Sequence, residues 1–206
     1  MKPTLIGRSS SHFSRVTRIF AAELSVDYSF RVVPDLLSTN PADYAGNPAL
    51  RLPVLETTAG SWFGALAICR ELERRSSRHL SLTWPEDLQD ALPSNAQEFA
   101  VQAMTTEVAL VMAGLAGEPL ESAHHRKQQA SLINLLVWLN GNIEAALASL
   151  PPTRDLSYLE ATLFCLVTHL EFRNVVSLSP YPALSTFSEQ FAGRASARET
   201  AFRFDV

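Results

Sequence analysis

The sequence has few cysteines, no excess of basic residues and no long apolar run, and each absence excludes a class of protein. Only 2 of the 206 residues are cysteine. Cys69 and Cys165 lie far apart in helical patterns, which favours buried free thiols over a disulfide scaffold. A net charge of −4 argues against a nucleic-acid-binding protein. No apolar stretch approaches the roughly 20 residues that span a bilayer, and no signal peptide is evident. We therefore expect a cytoplasmic protein with no membrane or nucleic-acid partner.

The residues that are present indicate an ordered chain of two units. Hydrophobic residues make up 47% of the chain and charged residues 18%, which is typical of a folded globular protein. Charge is distributed unevenly: residues 1–80 hold ten Lys/Arg against seven Asp/Glu, whereas residues 81–206 hold seven against fourteen. The first unit therefore tolerates an anionic ligand better than the second.

Apolar patterning predicts alternating strands and helices in the first unit. The predicted strands are 4–6, 28–33, 54–57 and 61–63, and the predicted helices are 13–24 and 64–75. The order is βαβ followed by ββα, so a parallel pair is joined by an antiparallel hairpin on one sheet. This order is the thioredoxin-like arrangement.

The second unit is predicted to be helical almost to its end. Its helices are expected at about 94–114, 122–149, 157–172 and 184–192. The third of these opens with Ser157 and Glu160 in the spacing of a capping box. We expect a domain at 1–78, a linker at 79–92 and an all-helical domain at 93–206.

Three segments of the chain match known motifs in order. SHFSRVTRI at 11–19 resembles S-P-F-x-R-K-V-R-I, and NPALRLPVL at 47–55 resembles N-P-x-G-K-V-P-V-L. From 163 to 196 the chain is similar to L-F-C…L-x-F-R…Y-P…F…R-P-S, with Ala195 where proline is usual. Together these segments resemble the glutathione S-transferase superfamily in its bacterial, serine-type form. The resemblance implies a thioredoxin-like domain followed by the family's helical domain, with glutathione as co-substrate and no metal.

The resemblance assigns the catalytic role to Ser11. In this family a hydroxyl at the start of the first helix stabilises the glutathione thiolate, which attacks an electrophile. The alternative is that Ser11 only caps the helix, a task that serine performs well. Ser9 and Ser10 compete for the catalytic role. His12 stands where the family usually has proline. An imidazole there could titrate near neutral pH beside the thiol, but we expect a chance substitution at a semi-exposed helix start.

The resemblance also assigns residues to glutathione binding. Leu52 precedes a proline that is cis in the family, and its backbone is expected to pair with the cysteinyl unit of the ligand. The alternative is a turn retained by the fold with no ligand. Arg51 is expected near the glycyl carboxylate or, equally, as a solvated surface charge. The assigned residues are Phe13, Arg51, Leu52, Pro53, Gly64 and Ala65.

Gly64 and Ala65 depart from the family pattern, which has Glu-Ser or Asp-Ser at the start of the second helix. In the family the acid binds the ligand's ammonium group, and the serine and helix amides bind its γ-glutamyl carboxylate. With both side chains missing, glutathione should bind poorly. This leaves two functions open: a transferase that conjugates, reduces or isomerises a small electrophile, or a non-catalytic binding or regulatory protein of the same fold.

The remaining expectations concern the second unit and assembly. Met104, Val108, Val111 and Met112 either line the electrophile site or form core. Trp138 and His169 are expected in the core, and the adjacent histidines at 124 and 125 do not form a metal motif. The resemblance implies a homodimer.

Overall fold

The computed structural model describes residues 2–119 and 122–205, which divide into two compact units. The first unit comprises Met1–Leu80 with Ala192–Val206, and the second comprises Ser81–Phe191. The predicted division at 1–78, 79–92 and 93–206 differs from these units at the C-terminus. Residues 192–206 were expected in the helical domain, but they pack with the first unit because its first helix binds them, as described below.

The first unit is built on a four-stranded mixed sheet with two helices, α1 and α2, between and after its strands. The strand order is β2-β1-β3-β4, with β1 parallel to β2 and antiparallel to β3, and β3 antiparallel to β4. The elements are β1 (Thr4–Gly7), α1 (His12–Glu23), β2 (Ser29–Val32), β3 (Val54–Thr57), β4 (Gly60–Phe63) and α2 (Ala65–Arg75). This topology confirms the predicted thioredoxin-like arrangement. The loop after β2 contains a short 3₁₀ helix, Pro41–Tyr44, that the patterning did not predict.

Strand register brings three chain segments to one end of the sheet. Val54, the first residue of β3, pairs with Ile6 of β1 and with Phe63, the last residue of β4. Because both pairings are antiparallel, the residues after β1, before β3 and after β4 all leave the sheet at this end. We call it the site end. Helices α1 and α2 also begin there.

Apolar burial holds this arrangement. Strand and helix residues of the first unit are almost fully removed from solvent: Leu5, Ile6, Ile19, Phe20, Leu55, Ile68 and Leu72. Each such side chain contributes about 1.5–3 kcal/mol relative to exposure. A second cluster of Ile6, Val33, Tyr44 and Val54 fixes the long loop that leads to β3. Burial therefore secures both the sheet and the segment preceding Val54.

Gly7 allows β1 to meet α1 closely. A Cβ atom at Gly7 would collide with the Oγ of Ser14 and lie 3.0 Å from its Cβ. Any larger residue here would push the end of β1 away from the first turn of α1.

The C-terminal segment, residues 194–205, is bound to α1. Arg15 donates from Nη2 to the Ala197 carbonyl at 2.9 Å, and its guanidinium lies over the ring of Phe202. Near the other end of α1, Glu23 accepts from Arg194 Nε at 2.8 Å and from Ser196 Oγ at 2.6 Å. These contacts explain why the segment belongs to the first unit.

The second unit is helical, as predicted. Helix α3 packs against α4 and α5, and Ser157 and Glu160 form the predicted capping box. A short parallel pair of strands, which the patterning did not predict, joins the start of the unit to the residues before α5. The elements are β5 (Leu82–Thr83), α3 (Ala91–Leu115), α4 (Ala123–Ala148), β6 (Leu156–Ser157), α5 (Tyr158–Arg173) and α6 (Pro182–Ala192), with α7 (Ala195–Glu199) following in the first unit.

Helix α3 is, by length and composition alone, long and apolar enough to cross a membrane. Core helices meet the same criterion. Glu98 and Glu107 interrupt its sequence, and Ala100 and Met104 are fully buried. These features agree with a helix that packs against α4 and α5.

His169 is buried, as predicted, and has a carboxyl group as its partner. Its Nδ1 lies 2.7 Å from Oε1 of Glu107, whose side chain is fully buried. Burial raises the pKa of Glu107, and the hydrogen bond and electrostatic interaction with His169 and the charge of Arg173 only partly oppose that rise. Trp138 is half-buried and packs edge-on against Phe99.

The bond between Glu23 and the C-terminal segment predicts a pH-dependent stability. Burial raises the pKa of Glu23, but hydrogen bonds from Arg194 and Ser196 and the charges of Arg194 and Arg78 outweigh it and lower the pKa from 4.5. The stabilisation is therefore present above about pH 4.5 and is lost as pH falls through the lowered pKa. Glu23→Gln should lower the free energy of unfolding at pH 7 by about 1–3 kcal/mol.

Denaturant unfolding between pH 7 and pH 4 measures this effect, and the difference between wild type and variant should shrink as pH falls. Glu56→Gln is the matched control, because Glu56 lies 3.6 Å from Arg31 with both side chains about half exposed. Such surface pairs contribute about 0–1 kcal/mol. A Glu23→Gln deficit that is the same at pH 7 and pH 4 would contradict the account.

Candidate functional site

The start of α1 presents a hydroxyl at the site end of the sheet. The turn from Arg8 to Ser11 is closed by the Ser11 amide, which donates to the Arg8 carbonyl at 3.1 Å. Ser11 is the N-cap: its Oγ accepts from the Ser14 amide at 3.3 Å. Its hydroxyl proton has no acceptor among the described residues. One oxygen can cap the helix and donate to a ligand at the same time.

The two competing serines are more deeply buried than Ser11. Ser9 and Ser10 are 0% and 2% exposed, whereas Ser11 is half-buried. The Ser9 amide donates to Oδ2 of Asp205 at 2.7 Å, while its Oγ is buried with no hydrogen-bond partner in the described part of the chain. Of the three, Ser11 is therefore the hydroxyl with the best access to a ligand.

The segment before β3 presents a free backbone edge. The Leu52-Pro53 peptide bond is cis, as the resemblance implied. Within residues 2–119 and 122–205, neither the amide nor the carbonyl of Leu52 has a hydrogen-bond partner. Asn47 holds the preceding turn, donating to the Arg51 carbonyl at 2.8 Å and accepting from the Ala49 amide at 3.0 Å. Leu52 can thus pair with an extended peptide without losing an internal bond.

The start of α2 offers backbone amides and no polar side chain. Gly64 is its N-cap, with φ of 84° and no side-chain capping bond. A helix begins with unpaired N–H groups that favour an anion. Nothing lies within 4 Å of a Cβ placed on Gly64, but its positive φ strains any L residue there. Ala65, the first helical residue, is buried.

The other residues assigned to the site are sequence neighbours of Ser11 and Leu52. Arg51 is exposed and has no ion pair among the residues described. Phe13 is half-buried, with its ring 4.8 Å from that of His12 in an edge-on arrangement. His12 is 0% exposed, so the expectation of a semi-exposed position was wrong. Its Nδ1 accepts from the Phe13 amide at 3.0 Å.

The structure brings together the segments that carry Ser11, Leu52 and Gly64, because the sheet register delivers all three to the site end. In the second unit, Met104 is core, while Val108, Val111 and Met112 are half-buried. No sequence pattern pointed to Asp205, and Asn47 lies in the second resembling segment but was assigned no role of its own. Arg194 and Ser196 belong to the third resembling segment, but that segment does not indicate that the residues after it contact Ser9.

Comparison with known proteins gives a family match for the first domain. Residues 10–75 match the family model for the glutathione S-transferase N-terminal domain. This range contains α1, β2, β3, β4 and α2, and so every segment of the candidate site. No curated protein matches the chain.

Solved structures match the chain along almost its whole length. A glutathione S-transferase from Methylobacillus flagellatus with glutathione bound has a TM-score of 0.77 at 23% identity, covering 98% of this chain and 100% of that one. A glutathione transferase family member from Pseudomonas fluorescens Pf-5, also with glutathione bound, has a TM-score of 0.80 at 16% identity, covering 98% and 100%.

A third structure is a glutathione S-transferase from Methylobacterium radiotolerans in complex with glutathione sulfonate. It has a TM-score of 0.72 at 18% identity and covers 100% of this chain and 98% of that one. At these identities the likeness establishes the fold: a thioredoxin-like domain followed by a helical domain. The family match therefore covers residues 10–75, and for the rest of the chain the comparisons establish the fold alone.

Proposed function

We propose that the chain binds reduced glutathione at the site end of its sheet and uses the thiolate to conjugate, reduce or isomerise a small electrophile. The observation that carries this proposal is the unpartnered backbone of Leu52 beside a cis proline. That backbone lies at the same end of the sheet as the starts of α1 and α2. The three structural relatives were solved with glutathione or its sulfonate.

The cysteinyl unit of glutathione would pair with Leu52 as an added strand. A peptide that donates to the Leu52 carbonyl and accepts from its amide satisfies two groups that have no partner within the chain. This pairing fixes the ligand's backbone direction, and the sulfur is then carried toward the start of α1. Leu52 is thus the orienting element of the proposed site.

Ser11 would stabilise the thiolate. Its free hydroxyl proton can donate to sulfur, and the helix start favours negative charge nearby. A hydrogen bond to a charged group is worth about 1.5–3 kcal/mol, which lowers a thiol pKa by about 1–2 units. The thiolate then attacks the electrophile as a soft nucleophile.

The γ-glutamyl end of glutathione would rest on backbone amides alone. The first amides of α2, at residues 65–67, would bind the carboxylate, but Gly64 and Ala65 provide no acid for the ammonium group and no hydroxyl. Two missing contacts to charged groups cost about 3–6 kcal/mol, so we expect weak binding. Arg51, exposed and unpaired in the described chain, would attract the glycyl carboxylate.

The same missing side chains favour a second candidate function. A chain that retains the fold but lacks the acid and the serine fits a non-catalytic binding or regulatory protein. The two candidates differ in one measurable property: the enzyme must turn over glutathione and an electrophile such as chlorodinitrobenzene, whereas the binding protein does not.

A homodimer and a cytoplasmic location also remain predictions. Sedimentation velocity tests whether the chain is a homodimer.

Ser11→Ala tests the role of the hydroxyl. It should reduce kcat/KM about 10- to 100-fold and raise the pKa of the bound glutathione thiol, followed by ultraviolet thiolate absorbance. It also removes the helix cap, at a cost of about 1 kcal/mol of stability. Ser11→Thr is the matched control, because it keeps both the cap and the donor. Equal turnover by wild type and Ser11→Ala would remove Ser11 from the mechanism.

Ala65→Ser tests the account of weak binding. A hydroxyl on the first residue of α2 should bind the γ-glutamyl carboxylate and tighten glutathione binding about tenfold or more, measured by calorimetry. Ala59→Ser is the control: Ala59 is exposed in the β3–β4 turn, at the opposite end of the sheet. If Ala65→Ser leaves the affinity unchanged while wild type binds, the carboxylate does not lie at the start of α2.

A further inference from the structure

The C-terminal segment reaches the turn that carries Ser11. Oδ2 of Asp205 accepts from the Ser9 amide at 2.7 Å and lies 3.7 Å from Nε of Arg8. The Asp205 side chain is only 7% exposed, so its carboxylate is directed into the turn. Ser9 lies two residues before the N-cap.

Arg8 extends this contact to the sheet. Its Nη1 donates to the carbonyls of Val33 and Pro34, each at 2.9 Å. Val32 is the last residue of β2 and pairs with Gly7, so Arg8 ties the start of the turn to the chain leaving β2. The Arg8–Ser11 turn is therefore held by the sheet at its first residue and by α1 at its last, and Asp205 fixes the part between them.

The buried Ser9 amide depends on this carboxylate. Ser9 is fully buried, and a buried N–H that loses its acceptor costs about 1–3 kcal/mol. Without Asp205 the turn would relieve this cost by rotating Ser9 toward solvent. Because the Ser11 amide closes the same turn on the Arg8 carbonyl, such a rotation would displace the Ser11 hydroxyl.

We infer that Asp205 is a positioning residue, which holds the Arg8–Ser11 turn so that the Ser11 hydroxyl is directed at the ligand's sulfur. The role of Ser11 in this inference rests on the proposed function. Asp205 would act by holding the turn and not by its charge. A negative carboxylate near a thiolate makes the thiolate less stable, and the positive Arg8 guanidinium offsets this repulsion.

The test compares Asp205→Ala with Asp205→Asn. The asparagine retains an oxygen that accepts from the Ser9 amide but has no charge. We expect Asp205→Ala to lower kcat about three- to tenfold, to raise the pKa of the bound thiol and to leave KM for glutathione within twofold. Asp205→Asn should keep most of the wild-type kcat and thiol pKa. Asp27→Ala, which removes an exposed carboxylate beyond the far end of α1, should change neither.

Amide hydrogen exchange gives a readout that does not need glutathione. Exchange at Ser9 and Ser11 should quicken in Asp205→Ala, stay near wild type in Asp205→Asn, and remain unchanged in α2 for both. Unchanged exchange and kcat in Asp205→Ala would overturn the inference, and so would equal losses in both variants. Absence of glutathione binding by wild type would instead overturn the proposed function, while the exchange data would still decide whether Asp205 holds the turn.

Discussion

The pairing of Val54 with Ile6 on one side and Phe63 on the other is the constraint on which the candidate site depends. A shift of one residue in either ladder would turn the side chains of a whole strand to the opposite face and expose the apolar residues that the helices cover. Register is therefore enforced by burial. Because it is enforced, the Ser11 turn, the Leu52 backbone and the start of α2 leave the sheet at one end.

The groups so assembled are mainly backbone groups. In the proposed function, the unpartnered amide and carbonyl of Leu52 and the first amides of α2 would bind the backbone and the γ-glutamyl carboxylate of glutathione. Glycine and alanine at 64 and 65 leave these backbone groups in place. The C-terminal segment also holds this arrangement. It bonds to Glu23 and Arg15 of α1 and to Ser9 in the turn that leads to Ser11.

Much of the fold was predictable because it depends on local signals. Apolar spacing identified the four strands and the main helices, and Ser157 and Glu160 marked a helix start that the structure confirms. The burial of His12 was not predictable, since a polar residue at a helix start is exposed in most settings. The Asp205–Ser9 bond joins residues 196 positions apart, and no local pattern indicates such a contact. Burial and long-range pairing are properties of the folded chain, and they become visible only in the structure.

The central claim is that reduced glutathione pairs with Leu52 at the site end of the sheet. The most direct measurement is a titration of the ¹⁵N-labelled protein with reduced glutathione, followed by amide chemical shifts. The account predicts saturable shifts at Leu52 and at residues 65–67, with the Ala59 amide at the opposite end of the sheet unmoved. Saturable shifts elsewhere with Leu52 unaffected, or no shift at millimolar ligand, would contradict it.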